Sequence, residues 1–504
     1  MRGNFVRSHG GTVMGEHVCC LDMGTTSVKA AVVDRSGRIA GLASSAHLHV
    51  GGAGAGAEFD AVEHIREATG LVSAALSQAG ISGRDVAAVS VTNQRASVVP
   101  LGRDLEPCGS GISWQDTRCG EAIARLGSRL APERFTRITG LPQGFLWTLG
   151  KLLWLRSARP DEWARTARVA LVHDLVLRAL GTEDIVTDVS NGSLTGMLDL
   201  RAGRWSREIL EAAELEEEML PRLVRPGEVV GHVSAEAART TGLTEGTPLV
   251  AGGGDQQCAT LGIGVMEPGD AGLCLGTAAV VSCPVPVPLP DPSGRYFCTA
   301  HAFPGRYVLE GIHNAFGASL SWAAQALGFD SLEALENAAA ASPAGAGGVL
   351  FLPWLAGIGT PDFDAGARGV FTGVSMATGR SDLARAVYEG IALETGRILE
   401  AFEASPVPLR RIILSGGGSS RSLIGRVLAD VTGRELLLSR ATQASLVGAA
   451  ALAWTGAGAF PDVGAATQSL SGSTEAVLSP VLEAGERESL RERYGGWVQS
   501  VRGR

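Results

Sequence analysis

The same short theme occurs twice in this sequence: an apolar run, a turn of glycine and hydroxyl residues, and a second apolar run. The first copy is Val18-Cys19-Cys20-Leu21, then Asp22-Met23-Gly24-Thr25-Thr26-Ser27, then Ala30-Ala31-Val32-Val33. The second is Ala271-Gly272-Leu273-Cys274-Leu275, then Gly276-Thr277, then Ala278-Ala279-Val280-Val281-Ser282. Short apolar runs bounded by turn residues read as buried strands. A theme repeated in each half predicts one domain type used twice. The length of 504 residues agrees, because single cores stop growing at roughly 250–300 residues.

The rest of each half fits this plan. Asp34-Arg35-Ser36-Gly37 is a turn into a third strand at 38–40, and apolar periodicity predicts a helix over 61–78. The Gly/Ala stretch 51–57 reads as a mobile loop. Val86 to Val91 is a strand entering Thr92-Asn93-Gln94-Arg95, and helices are expected over 150–156 and 164–180. Pro248 to Ala251 is a strand running into Gly252-Gly253-Gly254-Asp255-Gln256-Gln257. Residues 284–292 read as a proline-rich loop, 338–348 as an Ala/Gly/Ser/Pro linker and 381–402 as a long helix. Strand 411–414 then enters Ser415-Gly416-Gly417-Gly418, ahead of a helix starting near Ser422. The expected division is a flexible tail over 1–16, domains over 17–251 and 252–480, and a C-terminal helix or tail over 481–504.

Composition narrows the function classes. Hydrophobic residues make up 45% and charged residues 19%, as in ordinary globular proteins. A formal net charge of −9 speaks against nucleic-acid or acidic-membrane binding, which needs a broad basic surface. No apolar run reaches the roughly 18 residues needed to span a bilayer, and the first sixteen residues lack a signal-peptide apolar core. The eight cysteines form no CxxC pair, so reduced buried thiols in a cytoplasmic protein are expected rather than a zinc site or disulfide framework. Dimers are the commonest soluble assembly, so a homodimer is the default expectation.

The first turn carries phosphate chemistry. A strand-end aspartate, Asp22, can hold Mg²⁺. Gly24 allows close backbone approach, Thr25, Thr26 and Ser27 supply hydroxyls and N–H groups for an anion nest, and Lys29 can neutralise a transferring phosphoryl group. A plain polar hairpin turn accounts for this motif equally well taken alone. Gly276-Thr277 is a candidate facing turn, although Gly-Thr between strands is usually no more than a turn. The glycines before the helix near Ser422 could admit a ligand to a helix N-terminus. Asp255, after three glycines at a strand end, should project into a cleft as a base for a hydroxyl proton; helix capping is the plainer role. Arg95 could donate to acceptor hydroxyls, Trp114 could wall a carbon chain, and Gln256 could orient another hydroxyl. A surface ion pair for Arg95 and a core position for Trp114 are the structural alternatives.

The segments DMGTTSVK, GGGDQQ, LGTAA and LSGGGSS, followed by Ala444-Ser445-Leu446-Val447-Gly448-Ala449-Ala450, occur in one order. Together they resemble the FGGY carbohydrate kinase family, which includes glycerol kinase and xylulokinase. The resemblance implies an α/β fold of two actin-like (ribonuclease H-like) domains with the active site in the cleft between them. It implies ATP and Mg²⁺ as cofactors, a small carbohydrate or polyol as acceptor, and Asp22 on the metal side. Thr25, Thr26, Ser27, Lys29, Gly276 and Thr277 would contact phosphates, and Gly317, Gly417, Gly418 and Arg421 would line the adenosine side. Asp255 would be the base, with Arg95, Trp114 and Gln256 on the acceptor.

The departures concern the acceptor. Ala96 stands where glycerol kinases carry glutamate, and Leu146 where they carry tyrosine. Arg95-Ala96-Ser97 replaces the Met-His-Gly of xylulokinases, yet Thr299-Ala300-His301-Ala302 and Phe351-Leu352-Pro353-Trp354-Leu355 lean towards pentulose kinases. A larger, less polar pocket than one for glycerol is expected. The preferred expectation is phosphorylation of a ketose, polyol or cyclitol-like hydroxyl, nearest a pentulose kinase. A glycerol kinase or an autoinducer-type hydroxyketone kinase is the alternative within the family. From another class, a non-catalytic actin-like ATP or sugar sensor remains open, and Asp255 discriminates, because a sensor needs no base there.

Overall fold

The computed structural model describes residues 15–46, 50–51, 56–416, 423–472 and 474–502. Its first sheet is built from β1 (His17–Met23), β2 (Ser27–Asp34), β3 (Ile39–Ala46), β4 (Val86–Asn93), β5 (Val229–His232) and β6 (Pro248–Gly254). Their order is β5-β6-β4-β1-β2-β3. The first three strands form an antiparallel meander, β1 pairs parallel with β4 and β4 with β6, and β5 closes the edge antiparallel. The helix α1 (Ala61–Ala79) follows the meander; the Asp60 carboxylate caps it by accepting from the N–H groups of Val62 and Glu63. Its apolar face joins the core under this sheet through Ala68, Val72 and Leu76.

The second sheet repeats the plan. After α2 (Asp255–Gly262) come β7 (Asp270–Leu275), β8 (Ala279–Val285), β9 (Phe297–Ala300), β10 (Tyr307–His313), β11 (Arg411–Ser415), β12 (Leu436–Ser439) and β13 (Thr474–Leu478), ordered β9-β10-β8-β7-β11-β12-β13. Here too a hairpin and a third antiparallel strand are followed by parallel pairing of the first strand with β11 and of β11 with β12, and by an antiparallel edge. Strand for strand, β1, β2 and β3 correspond to β7, β8 and β10. The helix α3 (Phe316–Ala326) starts beside the β7–β8 turn, and α4 (Arg380–Glu403) and α5 (Leu423–Thr432) pack on this sheet's core.

The halves are joined by α6 (Ala444–Gly456), which belongs by sequence to the second half but packs on the first sheet. Its residues Leu446 to Trp454 are buried all round, as its run of alanines and aliphatics requires. Close contact with α2 depends on small residues: a Cβ at Gly448 would stand 1.8 Å from the Cys258 carbonyl oxygen.

Three sequence expectations need correction. The helix expected over 164–180 is interrupted: residues 164–165 end a short helix, Pro160–Arg165, and the next helix begins only at Val172, because Arg168–Leu171 pairs antiparallel with Val98–Leu101 as a strand. Residues 338–341 close a helix, Leu332–Ala341, rather than opening a linker; alanines favour helix when no proline interrupts them. Of the stretch 51–57, residues 52–55 lie outside the described residues, while Gly51 and Ala57 pair as short strands. All eight cysteines are free thiols. No helix among the described residues is long and apolar enough to cross a membrane.

Candidate active site

The β1–β2 turn is closed by the Gly24 N–H donating to the Ser27 carbonyl at 3.1 Å. In register, Asp22 faces Lys29 across the hairpin. Both side chains are engaged from the start of α6: the Ser445 hydroxyl donates to Asp22 Oδ2 at 2.7 Å, and Lys29 Nζ donates to Gln443 Oε1 at 3.0 Å. Burial raises the Asp22 pKa, against the opposing pull of the Ser445 hydrogen bond and the Lys29 charge. Thr25 points sideways. Its hydroxyl donates to Gln94 Oε1 at 3.1 Å and accepts from the Trp114 indole N–H at 3.0 Å. Thr26 is exposed and Ser27 half-buried at the tip.

Asp255 opens α2 where β6 ends, and its Oδ1 accepts the Gln256 N–H at 2.8 Å. Burial pushes its carboxyl up to about 6, opposed by the Arg95 charge, with Asp22 and Glu310 adding to the push. The Arg95 guanidinium is itself buried in a two-pronged pair with Glu310, at 3.0 Å from Nη1 to Oε1 and 2.5 Å from Nη2 to Oε2. The Gln256 side chain is half-buried beside Asp255. Ala96 is buried with a left-handed φ of 64°, and its carbonyl accepts from Thr148 at 3.2 Å. Leu146 leans on the large apolar core. The buried Lys151 holds its stretch of chain by donating to the carbonyls of Phe145 and Leu146, each at 3.0 Å, and burial lowers that lysine to about 8.

The β7–β8 turn is closed by Gly276 N–H donating to the Ala278 carbonyl at 3.0 Å. It is gripped by α3: the Gly317 N–H donates to the Gly276 carbonyl at 3.1 Å and the Ala318 N–H to that of Thr277 at 3.2 Å. A Cβ at position 317 would stand 2.6 Å from the Gly276 oxygen, which is why glycine opens this contact. Gly417, Gly418 and Arg421 lie outside the described residues.

The structure thus brings the expected residues into two groupings. One brings together Asp22, Thr25, Lys29, Arg95, Trp114 and Asp255; the other joins Gly276, Thr277 and Gly317. Four further residues were missed in the sequence: Ser445, Gln443, Glu310 and Gln257. The signal for the first two lay in the buried alanine-rich helix whose N-terminus they form. Glu310 carried a weaker one, a lone acid inside an apolar strand.

The residues fit a magnesium nucleotide through one protein ligand. Asp22 Oδ1 is buried and has no hydrogen-bond partner among the described residues. No cluster of three acidic, histidine or cysteine side chains among those residues could hold a metal unaided. Mg²⁺ would draw the rest of its shell from phosphate oxygens and water, as this ion usually does.

Comparison with known proteins identifies the family. The N-terminal domain model of the FGGY family of carbohydrate kinases matches residues 17–262, and the C-terminal domain model matches 271–457. A glycerol kinase of Geobacter sp. is 31% identical over 97% of this chain and 98% of its own length. A xylulose kinase of Lactococcus lactis is 31% identical over 92% of each chain. Among solved structures, a xylulose kinase from Rhodospirillum rubrum superposes with a TM-score of 0.87 at 27% identity, covering 97% of this chain and 99% of that one. The repeated sheet plan is thus the two-domain actin-like fold.

Proposed function

Because the chain belongs to the FGGY family of carbohydrate kinases, we propose that it transfers the terminal phosphoryl group of Mg²⁺-ATP to a hydroxyl of a ketose, a pentulose first, or of a related polyol or cyclitol. The observation that carries this reading is Asp255, a carboxylate at the start of α2 that burial pushes up to about 6 against the opposing pull of the Arg95 charge. A base near neutrality suits proton removal from an alcohol.

The roles follow from position. Asp255 aligns the acceptor hydroxyl and takes its proton as the oxygen attacks. Lys29 and the N–H groups of the first turn neutralise charge on the moving phosphoryl group. Transfer of this kind proceeds through a loose transition state, so positioning and electrostatics supply most of the rate. Asp22 would hold Mg²⁺, which screens the phosphate charge when bound. The second turn and α3 grip the nucleotide from the other side. Trp114, tied to Thr25, forms the apolar wall of the acceptor subsite.

Relatives named for glycerol and for xylulose are equally similar, so the acceptor preference rests on residues of this chain. Ala96 and Leu146 remove two polar contacts that a small triol would use, which favours a longer or less hydroxylated acceptor over glycerol. The test is ADP release with Mg²⁺-ATP across ketopentoses, ketohexoses, polyols, glycerol, cyclitols and linear hydroxyketones. A ketopentose should give the highest kcat/KM. Highest turnover with glycerol or a linear hydroxyketone replaces the acceptor assignment, and silence across the panel with intact ADP binding supports the sensor instead.

A further inference from the structure

Glu310 is fully buried on β10 of the second sheet, yet its carboxylate reaches Arg95, which follows β4 of the first. Oε1 accepts from Arg95 Nη1 at 3.0 Å, from Gln257 Nε2 at 2.9 Å and from the Thr299 hydroxyl; Oε2 accepts from Arg95 Nη2. The side chains of the Arg95–Glu310 pair are 5% and 0% exposed. Arginine reaches this partner across the chain just before Asp255. A Cβ at Gly254 would stand 2.2 Å from Arg95 Cδ, so the arginine stem lies directly on that glycine. The guanidinium is thereby fixed from below by the β6 backbone and from beyond by a carboxylate of the other lobe. Gln257 extends the same hold to the first turn of α2, which carries Asp255 and Gln256.

A buried ion pair of this kind contributes little net stability, since desolvation offsets the attraction, but losing one partner strands a charge. Its effect here is geometric: two parallel hydrogen bonds fix the plane of the guanidinium. We propose that Glu310 is a positioning residue for the phosphoryl acceptor, holding Arg95 and the first turn of α2 so that the acceptor subsite is complete only when the two lobes are docked. This inference rests on the kinase reading above. It predicts that acceptor affinity, and not nucleotide affinity, depends on a side chain of the nucleotide-side lobe.

The experiment uses the full chain, Mg²⁺-ATP as donor and D-xylulose as the first acceptor probe, followed by the rest of the panel. Glu310→Gln keeps the shape and removes the charge. The acceptor KM should rise at least tenfold, while the KM for ATP and the Kd for ADP stay within twofold. Thr299→Val removes one donor to Glu310 without changing volume and should raise the acceptor KM by about threefold. An unchanged acceptor KM overturns the inference, as does a parallel rise in both KM values accompanied by a fall in Tm, the mark of a merely structural pair. Where Glu310→Gln does not fold, Thr299→Val decides by the same criteria. Wild-type silence on every acceptor overturns the kinase reading and this inference with it, whereas wild-type turnover with an insensitive acceptor KM overturns this inference alone.

Discussion

The two glycine-hydroxyl turns hold the same place in their sheets and differ in what is attached to them. Each joins the first two strands of its sheet, and each is closed by a glycine N–H. The first is flanked by charge: two residues before its glycine stands Asp22, paired in register with Lys29. At the matching place in the second stands Cys274, paired with Val280. The first turn is wired to the Trp114 indole through Thr25, whereas the second is wired to a helix through Gly276 and Gly317. On the proposed reading, a duplicated element is divided between two tasks, one turn carrying the chemistry and the other holding the donor. Side chains, on that reading, decide which copy reacts.

The comparison is sharpest where charge is removed. Asp255→Asn should lower kcat by about 10²–10⁴-fold, the usual worth of a general base, with ADP affinity within twofold; unchanged turnover refutes the base. Matched substitutions then test the division itself. Asp22→Ala should cost about 10²-fold in kcat and weaken the Mg²⁺ dependence of nucleotide binding by calorimetry, on the scale of losing one transition-state charge stabiliser. Cys274→Ala, its counterpart, should stay within a few-fold. Equal losses from both would show that the turns share the chemistry.

Acidification acts through Asp255, which must be ionised to accept a proton. A pKa of about 6 in the folded chain predicts that kcat/KM climbs about tenfold per unit up to that pH and then levels. The stability sign runs the other way. The folded pKa lies above the ordinary carboxylate value near 3.9, so the contribution of the protonated group is present at low pH and is lost as pH rises through about 6. A pH–rate limb near 4 would contradict the burial argument.

On the grip side, Gly317→Ala places a methyl group against the Gly276 oxygen. Overpacking of this kind costs about 1–3 kcal/mol, so ADP affinity should fall roughly tenfold while the acceptor KM stays put. The smallest effect belongs to Trp114→Phe, which keeps the ring and removes the N–H bonded to Thr25. One hydrogen bond is worth about 0.5–1.5 kcal/mol, giving a few-fold rise in acceptor KM, measured by initial rates. A larger loss in ADP affinity than in acceptor KM would show that Thr25 belongs to the donor turn after all.

Much of the fold was legible because it is written locally. The hairpins at Gly24 and Gly276 announce themselves by apolar runs on either side of turn residues, and the long helix over 381–402 by its periodicity. Helix and strand were confused only where propensity and pairing disagree: Arg168–Leu171 has no strand signature of its own and becomes a strand because Val98–Leu101 offers an edge. The candidate site divides in the same way. Asp22, Lys29 and Asp255 stand at strand ends and in turns, where sequence alone marks them. Arg95 was also marked, but its partner was not, since nothing near it in sequence predicts a carboxylate.

What the sequence determined by itself was the repeated domain plan, the two turns and the position of the candidate base, because strand, turn and helix-start signals act over a few residues. Only the tertiary structure decided who holds these groups in place. Arg95 meets Glu310 across a separation of 215 residues, Lys29 meets Gln443 across 414, and Asp22 meets Ser445 across 423. Contacts of that range are set by how the two sheets and α6 pack, and side-chain burial in that packing, rather than any local pattern, makes each partner obligatory.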